Sequence, residues 1–247
     1  MVSVLILLLI SAFLTALITP FIRKICLKHN LVDYHNSRKI HNEKIPRLGG
    51  IGIAISLFLC IILGYLLFRP LLNVSTVSLI GLKLGGSWIL LLGILDDIKG
   101  LKASQKFAGQ ITAVLILLPF GFIVQQLTIP FLGTVHLHWG WGLILTSIWL
   151  IVLVNAVNLI DGMDGLAAGV ALIASLILSI ISYLSGNMPI SIVMFALAGS
   201  TLGFLLHNFH PAKIFMGDCG AMFIGFLLSA ASIRIFYHNP VSVNSFA

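Results

Sequence analysis

Eight long apolar runs separated by short polar breaks dominate the chain, at about 2–22, 49–68, 77–95, 107–124, 141–157, 165–184, 190–207 and 219–237. A helix rises ~1.5 Å per residue, so each run is long enough to cross a hydrocarbon layer of ~30 Å or nearly so. The pattern predicts an all-α polytopic membrane protein of about eight transmembrane helices in a single domain spanning 1–247. The third run carries Lys83 in its first half, which a snorkelling side chain accommodates. The first run has no basic segment before it and no small-residue cleavage site, and Arg23 and Lys24 follow it. It reads as a retained helix with its N-terminus outside. Between the fourth and fifth runs, QQLTIPFLGTVHLHWG alternates apolar and polar positions around a central glycine and predicts a small outside hairpin. His136 and His138 would share one face of its second strand. That spacing admits a metal pair, although a surface hairpin accounts for it as well.

Composition agrees with the pattern. Apolar residues make up 59% of the 247 positions and charged residues 9%, far below the ~25% of soluble domains. The net charge is +7, but its placement speaks against nucleic acid. Eleven of the 14 Lys and Arg residues fall in the alternate loops 23–48, 96–106 and 208–218. Such a bias marks the cytoplasmic side. The three cysteines, Cys26, Cys60 and Cys219, are scattered and show neither a disulfide framework nor zinc spacing.

The acids sharpen this. All seven lie on that same side: Asp33 and Glu43, Asp96 and Asp97, Asp161 and Asp164, and Asp218. Topology sorts Lys and Arg but has little hold on acids. Five of the seven abut helix ends, where an ionised carboxylate is costly without a partner. The adjacent Asp96 and Asp97 in GILDDIKGL repel one another and call for a cation, a hard divalent ion being the natural one. In NAVNLIDGMDGLAAG, Asn155, Asn158, Asp161 and Asp164 recur every three residues and would form one polar stripe if the turn stays helical. In HNFHPAKIFMGDCG, Asp218 opens the eighth run between Gly217 and Gly220, a place suited equally to an N-cap and to an anion site. His207 and His210 precede it, and Phe215 suits a headgroup anchor. The basic loop before IPRLGG attracts either anionic lipid or a phosphorylated substrate. Carboxylates, glycine turns and excess positive charge on one membrane face point to a phosphorylated substrate held through a divalent metal, with a second substrate resident in the bilayer.

IPRLGG (45–50), GILDDIKGL (93–101), NAVNLIDGMDGLAAG (155–169) and HNFHPAKIFMGDCGAMFIGF (207–226) resemble, in order, spacing and sidedness, the polyprenyl-phosphate N-acetylhexosamine-1-phosphate transferases. IPRLGG is more similar to the bacterial branch that moves N-acetylglucosamine 1-phosphate. The resemblance implies transfer of a sugar 1-phosphate from a UDP-sugar to undecaprenyl phosphate with release of UMP, dependent on Mg2+ or Mn2+. The site would face the cytoplasm at a bacterial inner membrane and serve a cell-envelope glycan. Residue by residue, it implies that Asp96 and Asp97 are the catalytic acidic pair and that Asp218, with Asp97, holds the metal. Asn158, Asp161 and Asp164 would line the nucleotide and sugar side, Phe215 would stack on the uracil, and Lys44 would meet the nucleotide. Partners implied are the UDP-sugar, undecaprenyl phosphate and the bilayer. The resemblance admits a homodimer.

Two departures set up the alternatives. The family's usual ten or eleven spans and its later histidine-rich loop are not matched here, and GDCGA carries Ala221 where the family commonly has Ser. A truncated, catalytically inactive member that keeps nucleotide or lipid-phosphate binding is therefore the second reading. A cation-coupled transporter is a third, weakened because its carboxylates should sit at mid-bilayer.

Overall fold

The computed structural model describes residues 2–33, 45–68, 76–129 and 133–238. Eight helices run among them: α1 (Val2–Lys28), α2 (Gly50–Phe68), α3 (Thr76–Lys99), α4 (Ala103–Leu117), α5 (Trp139–Ile160), α6 (Leu166–Leu184), α7 (Met188–Asn208) and α8 (Gly217–His238). Each predicted apolar run coincides with one helix. By length and composition six are fit to cross a membrane: α1, α3, α5, α6, α7 and α8. This is an all-α polytopic membrane protein. Six rather than the expected eight qualify among the described residues; α2 has 19 residues, and α4 has 15 before it tightens into a 3-10 turn at Leu118–Phe120.

The predicted hairpin forms. Strands β3 (Gln126–Ile129) and β4 (Gly133–His136) pair antiparallel, with Gln126 opposite His136. Two shorter strands, β1 (Val32–Asp33) and β2 (Ile45–Pro46), bracket the basic loop. Among the described residues no group of three or more His, Cys, Asp or Glu is placed to hold a metal ion, and the idea of a metal on His136 and His138 gains nothing.

Helices α7 and α8 form the interior, and the others surround them with one face toward lipid. Small residues put them there. Gly199 and Gly203, four apart on α7, touch the backbone of α1. A Cβ at either would lie 2.1 Å from the carbonyl oxygen of Leu8 or Ala12. Lipid provides no hydrophobic drive between helices, so such backbone proximity, with its dispersion contacts, is what holds the pair. Ser11, Thr15 and Thr19, buried on α1, give their hydroxyl hydrogens to backbone carbonyls and leave no donor stranded.

Helix α8 is gripped in the same way at its first turns. A Cβ on Gly93 of α3 would stand 2.3 Å from Cys219 Cα, and one on Gly50 of α2 would stand 2.1 Å from Gly220 Cα. The two glycines ending IPRLGG are thus a docking surface for the start of α8. The Gly49 and Gly50 amides donate to the carbonyls of Phe215 and Met216 at 3.0 and 2.9 Å.

Several boundaries differ from the expected ones. Helix α3 continues to Lys99, so Asp96 and Asp97 occupy its last turn rather than a loop. It ends where Gly100 takes φ +64 and its amide donates to Asp96 O at 2.8 Å, a left-handed stop that glycine adopts without strain. Helix α5 ends at Ile160, before the second half of NAVNLIDGMDGLAAG. The three-residue spacing therefore stops being helical there, and the single polar stripe expected across Asn155, Asn158, Asp161 and Asp164 is split.

Candidate active site

The end of the bundle that carries α3's last turn, α4's first turn, α5's last turn and α8's first turn gathers the acids. Asp97 points its carboxylate at the N-terminus of α8. Oδ1 accepts from the Asp218 amide at 2.9 Å and Oδ2 from the Cys219 amide at 3.0 Å. One helix thus caps another, a use of the helix N-terminus that neutralises the buried charge. Asp96, almost fully buried, accepts the Leu101 amide on Oδ1 at 2.8 Å. Its Oδ2 lies against the Lys106 ammonium, an ion-pair contact rather than a hydrogen bond of regular geometry. The same ammonium donates to Asp218 Oδ2 at 2.8 Å. Lys106 therefore sits between Asp96 and Asp218, and the side chain of Asn158 on α5 lies close to Asp218.

Asp161 lies in the turn after α5, beside the Gly217 backbone. Burial pushes its carboxyl up to about 7, and the charges of Asp218 and Asp97 push the same way. Four carboxylates from two helices and a turn thus share one neighbourhood with a single ammonium among the described residues touching two of them. Beside Asp97 opens a cleft of about 280 Å3, lined by Asn30, Leu31, Val32, Arg47, Leu48 and Ile98. Leu48 there holds φ +74 although it is not glycine, and its buried side chain keeps it in place.

Asp164 goes elsewhere. Its Oδ2 accepts from the Ala212 amide at 3.1 Å and meets His210 Nδ1 at 3.0 Å, tying down the loop between α7 and α8. Asn208 completes that tie by accepting the Gly165 amide at 3.1 Å and donating to Ile214 O at 2.9 Å. His207 bonds the Ala16 carbonyl on α1 at 3.0 Å, as a packing residue does.

A family model described as "Glycosyl transferase family 4" matches residues 79–236. The chain belongs to this family. It is 34% identical over 238 residues to a probable undecaprenyl-phosphate N-acetylglucosaminyl 1-phosphate transferase of Bacillus subtilis (strain 168), covering 96% of this chain and 64% of the relative. It is 37% identical over 249 residues to the decaprenyl-phosphate N-acetylglucosaminephosphotransferase of Mycolicibacterium smegmatis, covering 96% of this chain and 60% of the relative. A phospho-N-acetylmuramoyl-pentapeptide-transferase of Levilactobacillus brevis is 34% identical over 219 residues, covering 82% and 65%. The chain thus spans less than two thirds of the length of each of these three relatives.

Within this family 4 chain the structure brings together Asp96, Asp97, Asn158, Asp161 and Asp218 of the residues singled out from sequence. It sets Asp164 apart on the loop, and Lys44 lies outside the described residues. Phe215 is fixed through its backbone, donating to Pro46 O at 2.8 Å, with its side chain half-buried beside the site. Each Asp97 oxygen accepts one α8 amide, and Asp218 Oδ2 accepts from Lys106. Sequence reasoning missed Lys106. The signal was present: Lys106 and Gln110, one turn apart, are polar positions on one face of a short apolar helix that follows the acidic pair.

Proposed function

We propose that this chain transfers an N-acetylhexosamine 1-phosphate, most simply N-acetylglucosamine 1-phosphate, from a UDP-sugar to undecaprenyl phosphate. An oxygen of the lipid phosphate attacks the sugar-bearing phosphorus, the new P–O bond forms, the bond to UMP breaks, and UMP leaves. The observation that carries this reading is the convergence of Asp96, Asp97, Asp161 and Asp218 with Lys106 at one end of a lipid-facing bundle. The names of the relatives supply the substrate class. Two phosphate groups meeting at one centre concentrate negative charge, and catalysis is then mostly charge neutralisation and in-line positioning. A lipid phosphate with a second pKa near ~6 is largely dianionic at neutral pH and attacks without a strong base. Asp97, anchored to α8, orients the Asp218 backbone rather than acting as a nucleophile. Lys106 supplies a cation for the phosphates once substrate competes with Asp96 and Asp218 for it.

The donor set fits a hard divalent cation. Asp218, Asp161 and Asn158 offer only oxygen, and Mg2+ commonly takes one or two carboxylates together with substrate phosphates. When bound there it would neutralise charge on the transferring phosphoryl group. The bias of Lys and Arg supports a cytoplasmic site in a bacterial inner membrane, with the N-terminus outside.

The test is UMP release by the detergent-purified chain from UDP-N-acetylglucosamine, with and without undecaprenyl phosphate and with and without Mg2+. Release that needs both additions supports the reading. A folded protein that releases no UMP under any of these conditions overturns it.

A further inference from the structure

The transferase reading leaves unused a reciprocal polar link between α4 and α5. Gln110 of α4, 3% exposed, and Asn155 of α5 face each other as a reciprocal amide pair. Gln110 Nε2 donates to Asn155 Oδ1 at 3.2 Å, and Asn155 Nδ2 donates to Gln110 Oε1 at 2.8 Å. Each amide satisfies the other, so the pair fixes both the separation and the rotation of the two helices. Asn155 Nδ2 also reaches the Ile151 carbonyl at 2.7 Å, which holds its own rotamer.

The placement of the pair gives it meaning. One turn before Gln110 on the same face of α4 stands Lys106, and one turn after Asn155 on α5 stands Asn158. Lys106 donates to Asp218 Oδ2 at 2.8 Å, and the Asn158 side chain lies close to the same carboxylate. Elsewhere α4 leans on α3, where Gly109 O accepts from Trp88 Nε1 at 2.9 Å and a Cβ on Gly109 would meet Leu92 Cδ2 at 2.5 Å. That contact fixes α4 to α3; toward α5, the Val124 amide beyond the end of α4 donates to Thr146 Oγ1 at 2.9 Å, and the amide pair is the side-chain tie nearer Lys106.

We infer that Gln110 and Asn155 are positioning residues, an amide clamp that fixes the turn of α4 on α5 and so holds Lys106 against Asp218. This deepens the transferase reading and rests on it for the effect on turnover. The clamp itself is a matter of geometry and has its own readout. A misplacement of ~1 Å in a charged phosphoryl-transfer site is enough to cost one to two powers of ten in rate.

The experiment combines turnover with chemical labelling of Lys106 in native membranes. An amine-reactive ester is applied at limiting concentration, and Lys106 labelling is quantified by mass spectrometry against the exposed Lys102. Variants are Gln110→Met, which keeps the volume and the apolar stem, Gln110→Asn, Asn155→Gln, and the swap that combines the last two and restores the total length of the pair. Maleimide reactivity of the fully buried Cys219 serves as the folding control. In each single variant Lys106 labelling should rise at least threefold relative to Lys102, and kcat should fall about tenfold with the KM for UDP-sugar within twofold, the pattern of a lost transition-state contact. The swap should reverse both changes. Lys106 labelling at the wild-type level in the folded single variants, or a swap that restores neither readout, overturns the clamp. A wild-type chain without turnover refutes the transferase reading alone, because the labelling series still decides whether the pair positions Lys106.

Discussion

Replacing Lys106 with methionine is the perturbation whose consequences are most directly worked from the structure. Methionine keeps most of the aliphatic stem and removes the ammonium that contacts both Asp96 and Asp218. The Asp96 side chain is 3% exposed, so its charge cannot turn to water for compensation. Taking one partner from a fully buried pair costs ~3–5 kcal/mol. Here the ammonium keeps 28% and the Asp218 side chain 31% of its exposure, and solvent screens part of the loss. The expected cost is therefore ~2–3 kcal/mol, below the fully buried range and above that of a surface pair. For a chain of this size that corresponds to a fall in Tm of ~4–12 °C. Thermal unfolding of the detergent-solubilised protein measures it, with Lys102→Met, an exposed residue at the start of α4, as the control. Millimolar Mg2+ should recover more Tm in Lys106→Met than in wild type, because a second cation then competes for a site emptied of its ammonium. Turnover should fall by ~100- to 1000-fold, the usual loss for a preorganised charge at a transferring group. Equal melting of Lys106→Met and wild type, or an equal loss in Lys102→Met, would refute the assignment of Lys106 as the counterion of the acidic cluster.

Other expectations follow from the same geometry. Gly93→Ala places a methyl against the backbone of Cys219, where no side chain can move aside, and should destabilise by ~1–3 kcal/mol, whereas Gly169→Ala in α6 meets nothing within 4 Å and should stabilise by ~0.5–1 kcal/mol. Paired melting curves decide this. Asp161, raised to about 7 by burial and by its acidic neighbours, contributes stability below the ordinary carboxylate range, and that stability is lost as pH rises through about 7. In chelator-treated detergent the wild type should lose Tm between pH 5 and pH 8 more steeply than Asp161→Asn. Parallel slopes would show that Asp161 is not the group responsible. Asp164→Ala releases the Ala212 amide and His210 together, and limited proteolysis should then cut the loop between α7 and α8 faster while Lys106 labelling stays unchanged.

Much of this was legible in the chain itself. The apolar runs located every helix, the alternating stretch from Gln125 to Gly140 located the hairpin, and the one-sided distribution of seven acids pointed to a site at one membrane face. Asp96, Asp97, Asn158, Asp161 and Asp218 were marked as site residues by charge placed where lipid makes charge costly. Asp164 was marked by the same rule, and the structure places it on the loop between α7 and α8 through the Ala212 amide, since periodicity cannot reveal that α5 stops at Ile160. Lys106 escaped because a lysine near a helix start on the positive side is also what topology alone would place there.

What the sequence determined by itself is the class of the molecule and the inventory of its chemistry. Hydrophobic length sets membrane helices through the energetics of burying backbone in hydrocarbon, and unpaired charge among them marks where function has to lie. What only the tertiary structure decided is which charge answers which. Asp97 and Asp218 lie 121 positions apart in the chain, and Lys106 and Asp218 lie 112 apart. Their pairing depends on α3 and α8 meeting at Gly93 and Cys219, and on α4 being turned so that Lys106 faces inward. Such contacts arise from backbone shape at glycines brought together by packing, and a linear pattern of apolar and polar positions carries no record of that shape.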